Sequence, residues 1–250
     1  MELIIVGSGT AAIQPRRGPS GYILRNSAEI YLLDGGSGTL RRAAEVGISY
    51  KEIGKIFYTH LHPDHTIDLV PFLFATKHTP GFVRTEPLEI YGPVGFAEFY
   101  QKFTELFSRR MLEAEYEIKI TEMGARHLQF QNWQLRTELM QHAHHAIGYR
   151  FESAGKTFAY SGDTDFCEEV IHLARNADVL LLECSFPDRM KVKGHLTPSE
   201  AGRIAAAAGV KKMVLTHFYP PCDEEDMITP CRKYFDGEVM LAEDLMSIKI

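Results

Sequence analysis

The segment His60-Leu61-His62-Pro63-Asp64-His65 places three imidazoles and one carboxylate within six residues. With 11 His in 250 residues, chance produces such a quartet in about one chain in a thousand. Imidazole and carboxylate are ligands of divalent transition metals, and four polar groups this close would repel or desolvate one another unless a cation compensated them. His60 and His62, two apart on an extended strand end, point to one side and can reach a single ion. The tight turn expected at Pro63 swings Asp64 and His65 back to the same place, where they could hold a second ion.

A dinuclear centre needs more ligands, and the chain offers three. His142 follows an expected strand over 135–141, Asp163 follows one over 157–160 within Ser161-Gly162-Asp163-Thr164, and His217 follows one over 213–216. Strand ends converge at one rim of a sheet, where sites on α/β sheets collect. Two ions at such a rim address both ends of an in-line phosphoryl displacement, and bound zinc lowers the pKa of water toward about 7 so that hydroxide forms at neutral pH. Asp64 is expected to orient that hydroxide and accept its proton while also touching metal. His144 and His145 stand beside His142 without an assigned role.

The elements that must carry these residues alternate between short β-branched runs and helical stretches. Strands are expected over 3–6, 21–25, 29–34 and 55–60, with helices near 39–46 and 95–109. Hairpin-like segments follow over 117–121, 127–130, 134–141 and 147–152. The second half reads as strand 157–160, helix 165–175, strand 179–183, helix 198–208 and strand 212–216. The helix over 198–208 is the best marked, with Thr197 as N-cap, Pro198 in its first turn and Glu200 completing a capping box. Two β-rich halves with helices outside predict a layered α/β sandwich.

One motif misleads. Gly7-Ser8-Gly9-Thr10-Ala11-Ala12 fits the G-x-G-x-x-A dinucleotide fingerprint, with Glu29 about twenty residues on. The fingerprint needs a helix opening at the glycines, whereas Pro15, Gly18, Pro19 and Gly21 follow at once, so a turn between two strands is expected instead.

The order H-x-H-x-D-H, then His142, then Asp163 in S-G-D-T, then His217 in L-T-H resembles the metallo-β-lactamase superfamily, from the opening glycine turn to His217. The resemblance implies a four-layer αββα sandwich, one domain over residues 1–250, and two divalent ions. It places His60, His62 and His142 on one ion and Asp64, His65 and His217 on the other, with Asp163 bridging. VGSGT at the start, LLDGG at 32–36, His142 six residues before Gly148-Tyr149-Arg150, and GHLTPSEAGRIA at 194–205 are similar to ribonuclease Z and its smaller phosphodiesterase relatives. In that branch the histidine matching His195 assists catalysis, here by stabilising phosphate oxygens or protonating the leaving alkoxide. Asp34 is expected either to anchor a ligand imidazole or to cap a turn.

The sequence departs from that branch in two places. True ribonuclease Z inserts a long arm that grips transfer RNA between the residues matching His142 and Asp163, which here lie only 21 positions apart. The small relatives carry a cysteine-rich metal site near the N-terminus, and this chain has no cysteine before Cys167. The expected substrate is therefore a small or short phosphodiester, with RNA as a further possibility. The rival readings are a thioester hydrolase of the glyoxalase type and a metal-binding module without catalysis. Zinc is the expected metal, and manganese or iron suits the same ligands.

Composition sets the outer limits. At 45% hydrophobic and 24% charged, the chain falls outside disordered, collagen-like and coiled-coil classes. Four cysteines without a C-x-x-C pair fit a reducing cytoplasm, and no apolar run is long enough to span a membrane. A net charge of −6 supplies no global attraction for nucleic acid, so any basic patch must be local; the doublets Arg16-Arg17, Arg41-Arg42 and Arg109-Arg110 and the pair Lys191/Lys193 are candidates. The apolar stretch 96–107 could support a homodimer.

Overall fold

In the first strand, β1 (Glu2–Gly7), Leu3 and Ile5 face one way and Ile4 and Val6 the other, yet all four are buried. A strand apolar on both sides requires a packed layer on each face. The computed structural model, which describes residues 1–107, 112 and 114–250, supplies both layers. Leu3 and Ile5 join a core between two sheets, and Ile4 and Val6 join a second core beneath helices.

The first sheet comprises β1, β2 (Gly21–Asn26), β3 (Glu29–Gly35), β4 (Ile53–Phe57), β5 (Leu88–Pro93), β6 (Ile118–Met123) and the late strand β14 (Ser247–Lys249), in the order β14-β1-β2-β3-β4-β5-β6. The second comprises β7 (Arg126–Gln129), β8 (Trp133–Leu139), β9 (Ile147–Ser153), β10 (Lys156–Tyr160), β11 (Val179–Glu183), β12 (Lys212–Thr216) and β13 (Glu238–Leu241), ordered β13-β12-β11-β10-β9-β8-β7. Strands β3 to β6 run parallel, as do β10 to β13. Parallel strands put all their C-terminal ends at one rim. Strand β8 is antiparallel to β9, which is antiparallel to β10, so β8 also ends there.

Helices α1 (Thr39–Glu45), α3 (Leu69–His78) and α4 (Phe96–Leu106) cover the first sheet through Ala43, Phe72, Leu73 and Phe96. Helices α5 (Glu168–Ala174), α6 (Pro198–Ala208) and α7 (Ile228–Arg232) cover the second through Val170, Leu173, Ile204 and Cys231. Between the sheets lies an aromatic core in which Phe57 stacks on Tyr91 at 4.8 Å and meets Tyr149 and Phe151 edge-on. Three cores between four layers make this the expected αββα sandwich.

Several boundaries differ from expectation. Strand β4 stops at Phe57, so His60 and His62 lie on the loop beyond it. Pro63 does not make a simple turn but opens the short helix α2 (Pro63–Thr66) at its first position, where its missing N–H costs nothing. Helix α5 starts at Glu168, three residues later than expected, because Cys167 is extended. The Arg109-Arg110 doublet and the expected end of the helix over 95–109 lie outside the described residues. Gly7 and Gly9 form a turn, as expected: a Cβ on Gly7 would meet the Pro19 carbonyl oxygen at 1.9 Å, and Gly9 bridges to Pro19 and Phe218. Among the described residues no helix is long and apolar enough to cross a membrane.

Candidate metal centre

The rim gathers all seven expected ligands. One ligand atom from each of His60, His62, His142 and Asp163 lies within 4.8 Å of the others, and Asp64, His65 and His217 form a second group by the same measure. Asp163 faces both groups: its Oδ2 is 3.5 Å from His142 Nε2 and 3.4 Å from His217 Nε2, and its Oδ1 is 3.5 Å from His65 Nε2. His60 and His62 come from the loop after β4, Asp64 and His65 from α2, His142 from beyond β8, Asp163 from beyond β10 and His217 from beyond β12.

Local backbone aims these groups. His217 takes φ +61 directly after β12, and Gly162 takes φ +59 directly before Asp163. A Cβ on Gly162 would sit 2.7 Å from the Thr59 side chain, so only glycine fits this turn. Asp34, within β3, is also left-handed at φ +53, and such strain persists only where surrounding structure over-determines it.

Asp34 is over-determined by its partners. Its Oδ1 accepts the Thr59 backbone N–H at 2.8 Å, and its Oδ2 accepts the Thr59 hydroxyl at 2.9 Å, the Tyr160 phenol at 2.6 Å and His65 Nδ1 at 2.9 Å. An ionised carboxylate only accepts, so Thr59 gives its proton to Asp34 and its oxygen accepts from His60 Nδ1 at 3.0 Å. His142 Nδ1 donates to the Gly194 carbonyl at 2.8 Å. The Ser185 hydroxyl donates to Glu183 at 2.7 Å and so accepts from His217 Nδ1 at 2.9 Å. Four histidines thus carry the proton on Nδ1 and turn Nε2 toward the centre, the arrangement in which outer hydrogen bonds orient metal-binding imidazoles.

With these imidazoles neutral, the centre has too many acceptors. His65 Nε2 faces His217 Nε2 at 3.4 Å, and His62 Nδ1 faces His142 Nε2 at 3.3 Å. His60 Nε2 and Asp163 Oδ1 are buried with no hydrogen-bond partner. Burial, reinforced by the His65 charge, holds His60 well below the usual imidazole range, and burial also lowers His62. Burial opposes charge on His65 as well, but the Asp163 and Asp34 carboxylates outweigh it and hold that imidazole well above its usual range. The centre therefore demands positive charge, and orphaned imidazole and carboxylate atoms are a donor set that fits divalent cations.

Asp64 is partly open to solvent, its Oδ2 3.8 Å from His217 Nε2. Burial raises its carboxyl, but the His217 hydrogen bond and the His65 charge prevail and bring it down to about 2. His195 stands beside the ligands, its ring parallel to His217 at 5.6 Å between centroids. Its Nδ1 is 3.0 Å from Glu183 Oε1 and 3.1 Å from Ser185 Oγ. Burial works against the imidazolium, and the Glu183 hydrogen bond and charge outweigh it, so His195 is shifted upward.

Sequence reasoning missed Glu183, Ser185, Thr59 and Tyr160. Glu183 is 1% exposed and also accepts the backbone N–H groups of Thr164 and Leu196. Its signal was present: a carboxylate closing the otherwise apolar strand β11 must be buried and must therefore be partnered. Asp34 proves to hold both His65 and the Thr59 backbone, joining its two expected roles. His144 and His145 are exposed, touch each other at 3.8 Å and do not belong to the cluster.

The profile of the Beta-lactamase superfamily domain matches residues 31–218, three quarters of the chain. The chain belongs to that superfamily. Among curated relatives, a ribonuclease Z of Methanothermobacter thermautotrophicus is 29% identical, with 100% of this chain and 97% of the relative covered. A ribonuclease Z of Methanosarcina mazei is 28% identical over 100% and 98%. The first alignment runs over 300 positions, so at least 50 have no counterpart in this chain of 250. The crystal structure of the short form of human tRNase Z superposes with TM-score 0.82 and 27% identity, covering 100% of this chain and 99% of that one. The metallo-β-lactamase fold protein YhfI of Bacillus subtilis superposes with TM-score 0.84 at 23% identity over 99% and 98%, a likeness of fold.

Proposed function

We propose that this superfamily domain, residues 1–250, is a dinuclear metal-dependent hydrolase of phosphodiester bonds, related in chemistry to ribonuclease Z. One observation carries the reading: His60 Nε2 and Asp163 Oδ1, buried and unpartnered, sit amid inward-turned imidazoles. His60, His62 and His142 would hold one ion, Asp64, His65 and His217 the other, and Asp163 both, with zinc the expected metal. When bound, the ions polarise phosphoryl oxygens and lower the pKa of water.

The chain's own groups divide the remaining work. Asp34, Thr59, Ser185 and the Gly194 carbonyl fix the imidazoles. Asp64, partly open to solvent, would orient the attacking water and accept its proton. Glu183 and Ser185 engage His195 Nδ1, leaving Nε2 to donate a proton to the leaving oxygen, a role suited to an imidazole that a neighbouring carboxylate shifts upward. The names of the curated relatives favour RNA or a short phosphodiester over a thioester. Four free buried thiols accord with a cytoplasmic setting.

The test is metal-reconstituted protein on bis-p-nitrophenyl phosphate beside a glutathione thioester. Phosphodiester turnover that disappears with chelation and returns with zinc or manganese supports the reading, whereas thioester turnover alone overturns it.

A further inference from the structure

The basic doublets visible in the sequence are largely neutralised: Arg17 pairs with Asp223, Arg41 and Arg42 with Glu45, and Lys191 with Asp165 and Glu200. A different basic cluster is assembled by strand register. Arg136 on β8 lies directly opposite Arg150 on β9, and His127 on β7 lies opposite Arg136. Leu135, Tyr149 and Phe151 point into the core between the sheets, so Arg136 and Arg150 point outward. Arg175, just past α5, completes the cluster.

Two adjoining cavities, of about 470 and 290 Å³, share Arg136, Arg150 and Glu152 as walls; His172 and Arg175 line one of them and His127 the other. Glu138 engages Nε and Nη2 of Arg136, and Glu152 takes Nε of Arg150 at 2.6 Å. Arg150 Nη1 caps the carbonyls of Leu173 and Arg175 at 3.0 and 2.8 Å, a structural task. Among the described residues the exposed guanidinium of Arg175 has no carboxylate partner. Like charges directly opposite each other destabilise a sheet; Arg150 is largely buried and offset by its carbonyl contacts, whereas the half-exposed Arg136 and the exposed Arg175 have no such packing duty. Three guanidinium groups against two carboxylates leave planar N–H donors directed into a polar groove, the chemistry that recognises phosphate.

We infer that this groove is a second contact for an RNA substrate, holding phosphates of the strand whose scissile bond lies at the metal centre. The inference rests on the phosphodiesterase reading. Two adjoining cavities with shared walls suit successive phosphates better than one small anion. His142 lies six residues beyond Arg136, so the near wall of the groove is about 20 Å from the centre along the strand direction, a span of several nucleotides. Arg175, which precedes the N-terminal end of β11, lies farther from the rim. The contact is local, as a chain of net charge −6 requires.

The test uses the metal-loaded full chain and its Arg136→Ala/Arg175→Ala variant, leaving the helix-capping Arg150 in place. Binding of a fluorescein-labelled single-stranded RNA 12-mer is followed by anisotropy from 50 to 200 mM salt, alongside hydrolysis of bis-p-nitrophenyl phosphate. The expected result is RNA affinity weaker by roughly tenfold or more and a log–log salt slope shallower by about 1.4, the release expected from two single-strand phosphate contacts. Small-ester turnover should be unchanged, and the paired Lys substitutions should restore the slope. Unchanged RNA affinity and slope overturn the groove, as does an equal loss on the small ester. RNA affinity lost on Arg136→Ala/Arg175→Ala while the native chain cleaves no phosphodiester retains the groove and removes the catalytic reading, so the two failures are distinguishable.

Discussion

At the residue scale, what distinguishes this centre is the direction of its imidazoles. Asp34 orients His65 directly and His60 through Thr59, so Asp34→Asn, which puts an amide donor where only an acceptor fits, should weaken metal binding by about 10–100-fold, measured by competition with a chromogenic chelator. His195 is held from outside the ligand set. His195→Ala should keep its metal and lose about 10²–10⁴-fold in turnover, and Glu183→Gln should lower turnover with metal content intact. If His195→Ala loses metal instead, the residue is a ligand and its assigned role is wrong.

At the element scale, the rim depends on short turns that admit few residues. Gly162, left-handed and pressed against Thr59, should respond to Gly162→Ala with a loss of about 1–3 kcal/mol, read by urea denaturation, together with weaker metal binding as Asp163 shifts. The His60–His65 motif was legible because its members are neighbours in the chain, and α6 because Thr197, Pro198 and Glu200 spell out its start. The carboxylate of Glu200 does accept the Thr197 N–H at 3.0 Å. Helix α3 escaped notice because Pro71 falls in its first turn and apolar residues, including the exposed Phe74, run around its whole circumference. Strands β13 and β14 are four and three residues long, too short for a period to show.

At the scale of the whole molecule, the sandwich couples its two halves through the site. Tyr160 from the second sheet reaches Asp34 in the first, and Tyr22 from the first reaches Thr216 in the second at 2.9 Å. Sequence pattern could reveal two buried sheets but not these cross-links, because contacts between distant strands leave no local trace. Since the candidate ligands come from both sheets, bound metal should stabilise the entire fold. Metal at 100 times its dissociation constant contributes about 2.7 kcal/mol, or roughly 5–11 °C in melting temperature for a chain of this size. Scanning calorimetry with and without chelator checks this, and an unchanged transition would mean that the metal holds no long-range contact.

The central claim is that seven side chains from both sheets bind a pair of ions. Elemental analysis of protein dialysed against trace metal measures this directly. The account predicts two divalent ions per chain in the native sequence, falling together with phosphodiester turnover when Asp163 is replaced by alanine. A native chain that binds no divalent ion yet hydrolyses the ester, or an Asp163→Ala chain that retains both ions, would contradict it.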